Sequence, residues 1–237
     1  MDWRRLHAAR PPAPAIPRAD LRPSIRDFTQ YLGAGRSALA VLPLLHRRGE
    51  ASRDLDLASI AAVLDDLEIP ALAVATEPSV FRGRLDDLTA VAAAVSAPIL
   101  RYDCVADEER LYESRAAGAD AVLVPVAVAG EALARLVALA RAMHVAVLAE
   151  VASEAECEQA LAAGVPVLAL APGALALAAR IPSRWPVIAQ EPVAAPDDLA
   201  RLHGHVDAVL VDGALFDPAD PAEGARVFVD AAAALAA

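Results

Sequence analysis

Residues 98–125 read PILRYDCVADEERLYESRAAGADAVLVP, and their pattern decides the fold. Residues 98–101 form a short apolar strand that ends on Arg101. A polar stretch follows over 102–107, carrying Tyr102, two acids and Cys104. Helical spacing runs over 107–117, with Leu111, Arg115 and Ala116 sharing a face. Gly118 supplies the backbone that ends a helix, and 121–124 is a second apolar strand. Two buried parallel strands joined by a helix make a βαβ unit.

The rest of the chain repeats that unit. Upstream, strands are expected at 38–42 and 71–75, with helices at 57–67 and 85–95. Downstream, strands are expected at 146–149, 165–170, 187–189 and 208–211. They alternate with helices at 131–143, 153–163, 174–179, 196–202 and 222–236, and Ser153 with Glu156 has capping-box spacing. Short, continuous, apolar strands are what burial on both faces requires. The expected fold is therefore a single-domain (β/α)8 TIM barrel over 24–237. An open doubly wound sheet is the alternative, but no GxGxxG follows the first strand. DAVLV occurs at 120–124 and again at 207–211, on strands four and eight. Residues 1–23, rich in Pro and Arg, read as an irregular N-terminal arm, and 25–32 as a short helix.

A barrel sorts its polar residues by position: those after a strand face the catalytic end, and those after a helix face the opposite end. His144, His203 and His205 precede strands, so no metal site is expected from them. His46, Arg47 and Arg48 follow strand one; Thr76, Glu77 and Phe81 follow strand two. Arg101, Tyr102 and Asp103 end strand three, Glu150 ends strand five, Gln190 and Glu191 end strand seven, and Asp212 ends strand eight. From these we take Glu150 and Tyr102 as candidate catalytic residues. Phe81, Arg101, His46, Arg47, Glu191 and Asp212 are the candidate substrate-binding residues.

Composition narrows the chemistry. The formal net charge is −11, which disfavours a phosphate backbone as partner, so no nucleic acid is expected. No apolar run is long enough for a membrane span. No secretory signal is read at the N-terminus, so the cytoplasm is the expected compartment. Cys104 and Cys157 form no CxxC pattern. All 21 basic residues are arginine; the chain has no lysine, so neither a Schiff base nor a lysine general acid is available.

The motifs resemble one family. ALAVATEPSVFRGRLDDL, the 98–125 stretch and VAVLAEVASEAECEQAL are similar to indole-3-glycerol phosphate synthase, a barrel enzyme of tryptophan biosynthesis. The family pattern T-E-x-x-x-F-x-G-S-L falls on Thr76, Glu77, Phe81, Gly83 and Leu85. Its P-V-L-R-K-D-F falls on Pro98 to Cys104, and its L-V-E-V-H on Leu148 to Ala152. The resemblance implies a carboxy-lyase that closes an indole ring without a cofactor. It also implies a lysine general acid after strand three, a second lysine on strand one, glutamate partners, and a glycine-rich phosphate site at strands seven and eight.

Here the general-acid position holds Tyr102, and E-x-K of strand one aligns with Val41-Leu42-Pro43. The N-x-R after strand six falls within Leu170 to Gly173, with neither side chain present. The phosphate glycines give way to Gln190-Glu191-Pro192 and Asp212-Gly213. Pro192 has no N–H to donate, and Glu191 and Asp212 bring carboxylates to an anion site. Three readings follow. One is a non-catalytic homologue, kept as a partner or regulatory subunit. Another is an enzyme with altered small-molecule chemistry on the same face. The third is a weak true synthase in which Arg47 and Arg101 replace lysine.

Overall fold

The computed structural model describes residues 1–30, 32, 38–49, 54–67, 69–212 and 220–236. Eight parallel strands close into a barrel in sequence order. They are β1 (Ala40–Leu45), β2 (Leu72–Ala75), β3 (Ile99–Tyr102), β4 (Ala121–Pro125), β5 (Ala146–Val151), β6 (Val167–Leu170), β7 (Val187–Ala189) and β8 (Ala208–Val211). Closure comes from β8 pairing with β1, with Leu210 beside Leu42. The expected (β/α)8 barrel is the fold observed.

Strand alternation divides the apolar residues into two cores. Leu42, Leu44, Leu100, Leu123, Leu148 and Leu210 point inward with a set of alanines and fill the barrel. Val41, Val74, Val122, Val147 and Val209 point outward onto the helices. The outer layer comprises α2 (Leu57–Asp65), α4 (Leu85–Ala94), α5 (Glu108–Ala116), α7 (Leu133–Ala142), α8 (Glu154–Ala162) and α9 (Pro221–Leu235). Two short helices, α3 (Pro78–Phe81) and α6 (Val126–Ala129), lie in βα connections. After β6 and β7 the expected α-helices are instead 3-10 turns, Leu175–Arg180 and Pro196–Arg201. Pro182 disfavours helical backbone at Ile181, which limits the first of these.

The opening βαβ unit is built as its residues dictate. Asp107 caps α5 by accepting the Arg110 N–H. Gly118 ends that helix at φ +100°, a conformation that favours glycine. Strand β3 runs one residue beyond the expected boundary and takes in Tyr102.

The arm is a correction. Residues 3–9 form helix α1 (Trp3–Ala9), with Asp2 as its N-cap. Trp3 is buried at 4% exposure and joins the interior core at the C-terminal end of the strands. A seven-residue helix is marginal on its own, and this one is anchored by its buried Trp3. Its neighbour Arg10 pairs with buried Asp103 at 2.5 Å. The chain then follows α5, with Arg18 stacked 4.4 Å over the Tyr112 ring. Residues 25–30 form turns rather than the expected helix, while Tyr31 and 33–37 lie outside the described residues. Phe28 closes the opposite end of the barrel at 2% exposure. Burial of such a side chain contributes about 1.5–3 kcal/mol.

The repeated DAVLV segments begin with aspartates that do the same work. Asp120 accepts the Ile99 N–H at 2.9 Å, at the start of β3. Asp207 accepts the Val187 N–H at 2.8 Å, at the start of β7. Each carboxylate thus ties its own strand to the preceding one. Asp120 also pairs with Arg26 at 2.9 Å and Arg115 at 3.1 Å, and accepts the Ser24 hydroxyl. Asp120→Ala leaves these half-buried cations without their buried carboxylate. It is expected to lower unfolding free energy by about 3–5 kcal/mol, read from urea denaturation.

Candidate functional site

The motif after β2 shows how local sequence builds the barrel mouth. Glu77 caps α3, accepting the N–H groups of Ser79 at 3.0 Å and Val80 at 2.6 Å. One turn of helix then carries Phe81 into the interior core. The chain must fold back tightly over β2 to do so. A Cβ at Gly83 would lie 2.1 Å from the Ala75 carbonyl oxygen, so only glycine fits. Thr76 donates its hydroxyl to Asp103 at 2.7 Å, joining the ends of β2 and β3.

Three strand ends meet in a polar chain that is buried at Tyr102 and Gln190 and half-buried at Glu150. Tyr102 donates its hydroxyl to Gln190 Oε1 at 2.7 Å. Gln190 donates through Nε2 to Glu150 Oε2 at 2.9 Å. The Trp3 ring meets Tyr102 edge-on at 5.8 Å, and Phe81 meets it at 5.6 Å. Burial raises the Tyr102 pKa far above the ordinary phenol value, with Glu150 and Asp212 adding to the shift. Burial also raises Glu150 above the usual carboxylate range, against the polar influence of Trp3, Gln190 and the N-terminal amine.

Beside this chain lies a cavity of about 570 Å³. Leu44, Phe81, Tyr102 and Leu210 give it an apolar floor, and Arg48, Glu191 and Asp212 give it a charged rim. Arg48 pairs with Asp212 at 2.8 Å and stands 5.5 Å over the Phe81 ring. Glu191 accepts the Gly173 N–H at 2.7 Å. His46 is buried behind Phe81, with ring centroids 5.7 Å apart. Its Nδ1 accepts the Arg48 N–H at 3.0 Å, which places the neutral ring's proton on Nε2. Burial lowers its pKa.

The structure therefore brings Tyr102, Glu150, Phe81, Glu191 and Asp212 to one mouth, with His46 just behind it. Two expected binding residues lie elsewhere. Arg101 is 1% exposed and points away from the barrel interior. It binds Glu113 at 2.8 Å on α5, Asp103 at 3.1 Å and Thr76 at 2.9 Å. Alternation along β3 sends it to the face opposite Leu100 and Tyr102. Arg101 therefore forms no ion pair with Glu150. Arg47 turns outward to Asp87 at 2.9 Å and the Leu55 carbonyl at 2.7 Å, and Arg48 takes the place at the mouth.

Alternation corrects strand one as well. Val41 belongs to the outer core, so the inward side chains are Leu42 and Leu44, both uncharged. Cys104 is buried, and its thiol pKa is pushed up to about 12 by burial and by Asp103. His144 accompanies Ser24 at the opposite end of the barrel, 3.3 Å from its carbonyl. Among the described residues no group of three His, Cys, Asp or Glu side chains could hold a metal. None of the helices among those residues is long and apolar enough to cross a membrane. Sequence reasoning missed Trp3, whose only signal was one aromatic residue in a Pro- and Arg-rich arm.

Two outcomes test this geometry. Gly83→Ala is expected to displace Phe81 and lower the thermal midpoint, because the new methyl meets backbone rather than a movable side chain. Glu150 has a raised pKa in the folded state, so folding binds its proton more tightly than the unfolded chain does. Its contribution to stability therefore falls as pH rises from the unfolded pKa, about 4.3, through the raised value. Glu150→Gln can still accept from Gln190. It is expected to raise the thermal midpoint at pH 8 while leaving it nearly unchanged at pH 4, measured by differential scanning calorimetry.

Comparison with known proteins agrees with the motifs. The family model for indole-3-glycerol phosphate synthase matches residues 18–228. The synthase of Paenarthrobacter aurescens is 34% identical over 229 residues, covering 88% of this chain and 84% of that protein. The synthase of Nocardioides is 35% identical over 224 residues, covering 87% of this chain and 85% of that protein. Among solved structures, KGPDC from Streptococcus mutans in complex with D-R5P gives a TM-score of 0.65 at 16% identity, covering 83% of this chain and 99% of that one. A 3-hexulose-6-phosphate synthase gives 0.64 at 17% identity, covering 80% and 98%. At these identities the structural matches show the shared barrel alone. The family match, the relatives and the motif residues that shape the mouth place this chain in the indole-3-glycerol phosphate synthase family.

Proposed function

We propose that this barrel is a non-catalytic member of its family, retained as a binding or regulatory subunit. The observation that carries this reading is the Tyr102–Gln190–Glu150 chain, which holds Tyr102 at the edge of the mouth where the family resemblance calls for a lysine acid. A phenol with a raised pKa is a poor proton donor at neutral pH, and this hydroxyl already donates to Gln190. Loss of a positioned general acid costs about 10²–10⁴ in rate. The inward side chains of β1, Leu42 and Leu44, bring no charge. Arginine does not restore the acid: Arg101 and Arg47 face away from the mouth, and a guanidinium holds its protons near neutral pH.

The phosphate end supports the same reading. Glu191 and Asp212 stand at the ends of β7 and β8. A carboxylate about 4 Å from a phosphate opposes it by about 4 kcal/mol per unit charge pair at an effective dielectric of about 20. One observation favours a second reading, an enzyme with altered chemistry. Glu150 is a partly accessible carboxylate with a raised pKa, as a general base or acid would be. Purified protein supplied with the carboxyphenylamino deoxyribulose phosphate of the family reaction is expected to release no indole-3-glycerol phosphate above background. Turnover that Glu150→Gln abolishes would overturn the non-catalytic reading. A protein that co-purifies stoichiometrically would identify the partner.

A further inference from the structure

The cavity at the mouth has a charge pattern suited to a ligand of definite chemistry. Its floor is apolar and aromatic: Leu44, Phe81, Tyr102 and Leu210. Its rim carries Arg48, Asp212 and Glu191. Arg48 is already committed, paired with Asp212 at 2.8 Å and set over the Phe81 ring. That pair engages Asp212 Oδ2, and Asp212 Oδ1 makes no hydrogen bond among the described residues. Glu191 uses Oε1 for the Gly173 N–H, and its Oε2 makes none among the described residues either. The third carboxylate, Glu150, is bound to Gln190, and the N-terminal amine acts on it. Among the described residues Glu191 thus forms no ion pair, beside a half-used Asp212 at the end of the adjacent strand.

We infer that this cavity binds a small organic monocation: an ammonium group seated between Glu191 and Asp212, carried on an apolar body that rests on Phe81, Leu44 and Leu210. The cation completes the charge balance of the rim, and the apolar floor takes the body that carries it. The volume of about 570 Å³ lies within the range of small-ligand sites. Burial is the main cause of the raised Tyr102 pKa, and the lesser charge effects of Glu150 and Asp212 outnumber the opposing one of Arg48. The inference rests on the reading that this end of the barrel no longer takes phosphate.

Three probes with the same ring decide it: phenethylamine, 3-phenylpropionate and phenyl phosphate, titrated against the full chain by isothermal calorimetry. Phenethylamine is expected to bind at least about tenfold more tightly than either anion, a difference of about 1.4 kcal/mol. Its affinity is expected to weaken with added salt. Glu191→Gln is expected to weaken it about tenfold. That variant's fold is checked by circular dichroism, and the ranking of probes on the unaltered protein needs no variant. No heat of binding for the amine up to about 10 mM, or equal binding of 3-phenylpropionate, would overturn the inference alone. Tight binding of phenyl phosphate would overturn it together with the argument that the phosphate site is lost. The turnover assay remains a separate test of the non-catalytic reading.

Discussion

Closure of the sheet between β1 and β8 is the constraint on which the rest of this molecule depends. Once no strand edge is left, each strand residue has two destinations: the barrel interior or the helical layer. The interior is filled by leucine and alanine, so it is a packed core and not a channel. Polar chemistry is confined to the last inward residue of each strand and the first residues of the next loop. Tyr102, Glu150 and Gln190 occupy such positions, which is why residues from three distant stretches of sequence form one hydrogen-bonded chain.

The same constraint explains the arginines. In a lysine-free chain, cations are spent on holding the βα connections together. Arg101 joins β3 to α5, Arg47 joins the end of β1 to α4, and Arg26 and Arg115 converge on Asp120 below β4. Arg10 reaches buried Asp103 and fixes the N-terminal segment across the top. Planar guanidinium groups suit such multi-partner roles. Among the described residues the positive charge at the mouth is Arg48 and the N-terminal amine, against three carboxylates. Electrostatics there differ from what a phosphorylated substrate needs, although the barrel that would hold it is complete.

Legibility in the sequence followed burial. Strands buried on both faces announce themselves as short apolar runs, so their order and the boundaries of β7 and β8 were readable. The Ser153 cap was readable too, because it acts on backbone three residues further on. Side-chain direction was harder. Arg101 and Tyr102 are neighbours, and a strand extended by one residue decides which of them enters the site. On strand one the readable segment was displaced from β1, and alternation made Leu42 and Leu44 the inward pair. The arm was least readable, since the burial of Trp3 comes from contacts with residues about a hundred positions away in Tyr102.

What the sequence determined by itself was the barrel, the family, and the absence of lysine from every position where the family's chemistry calls for one. Those follow from residue type and local periodicity, which need no knowledge of distant contacts. The tertiary structure decided which groups share the mouth: Arg48 instead of Arg47, Tyr102 instead of Arg101, and Trp3 from an arm that read as irregular. The physical reason is that a side chain's partners are set by strand register and pleat. A shift of one residue moves it from cavity to helix layer without changing a letter of the sequence.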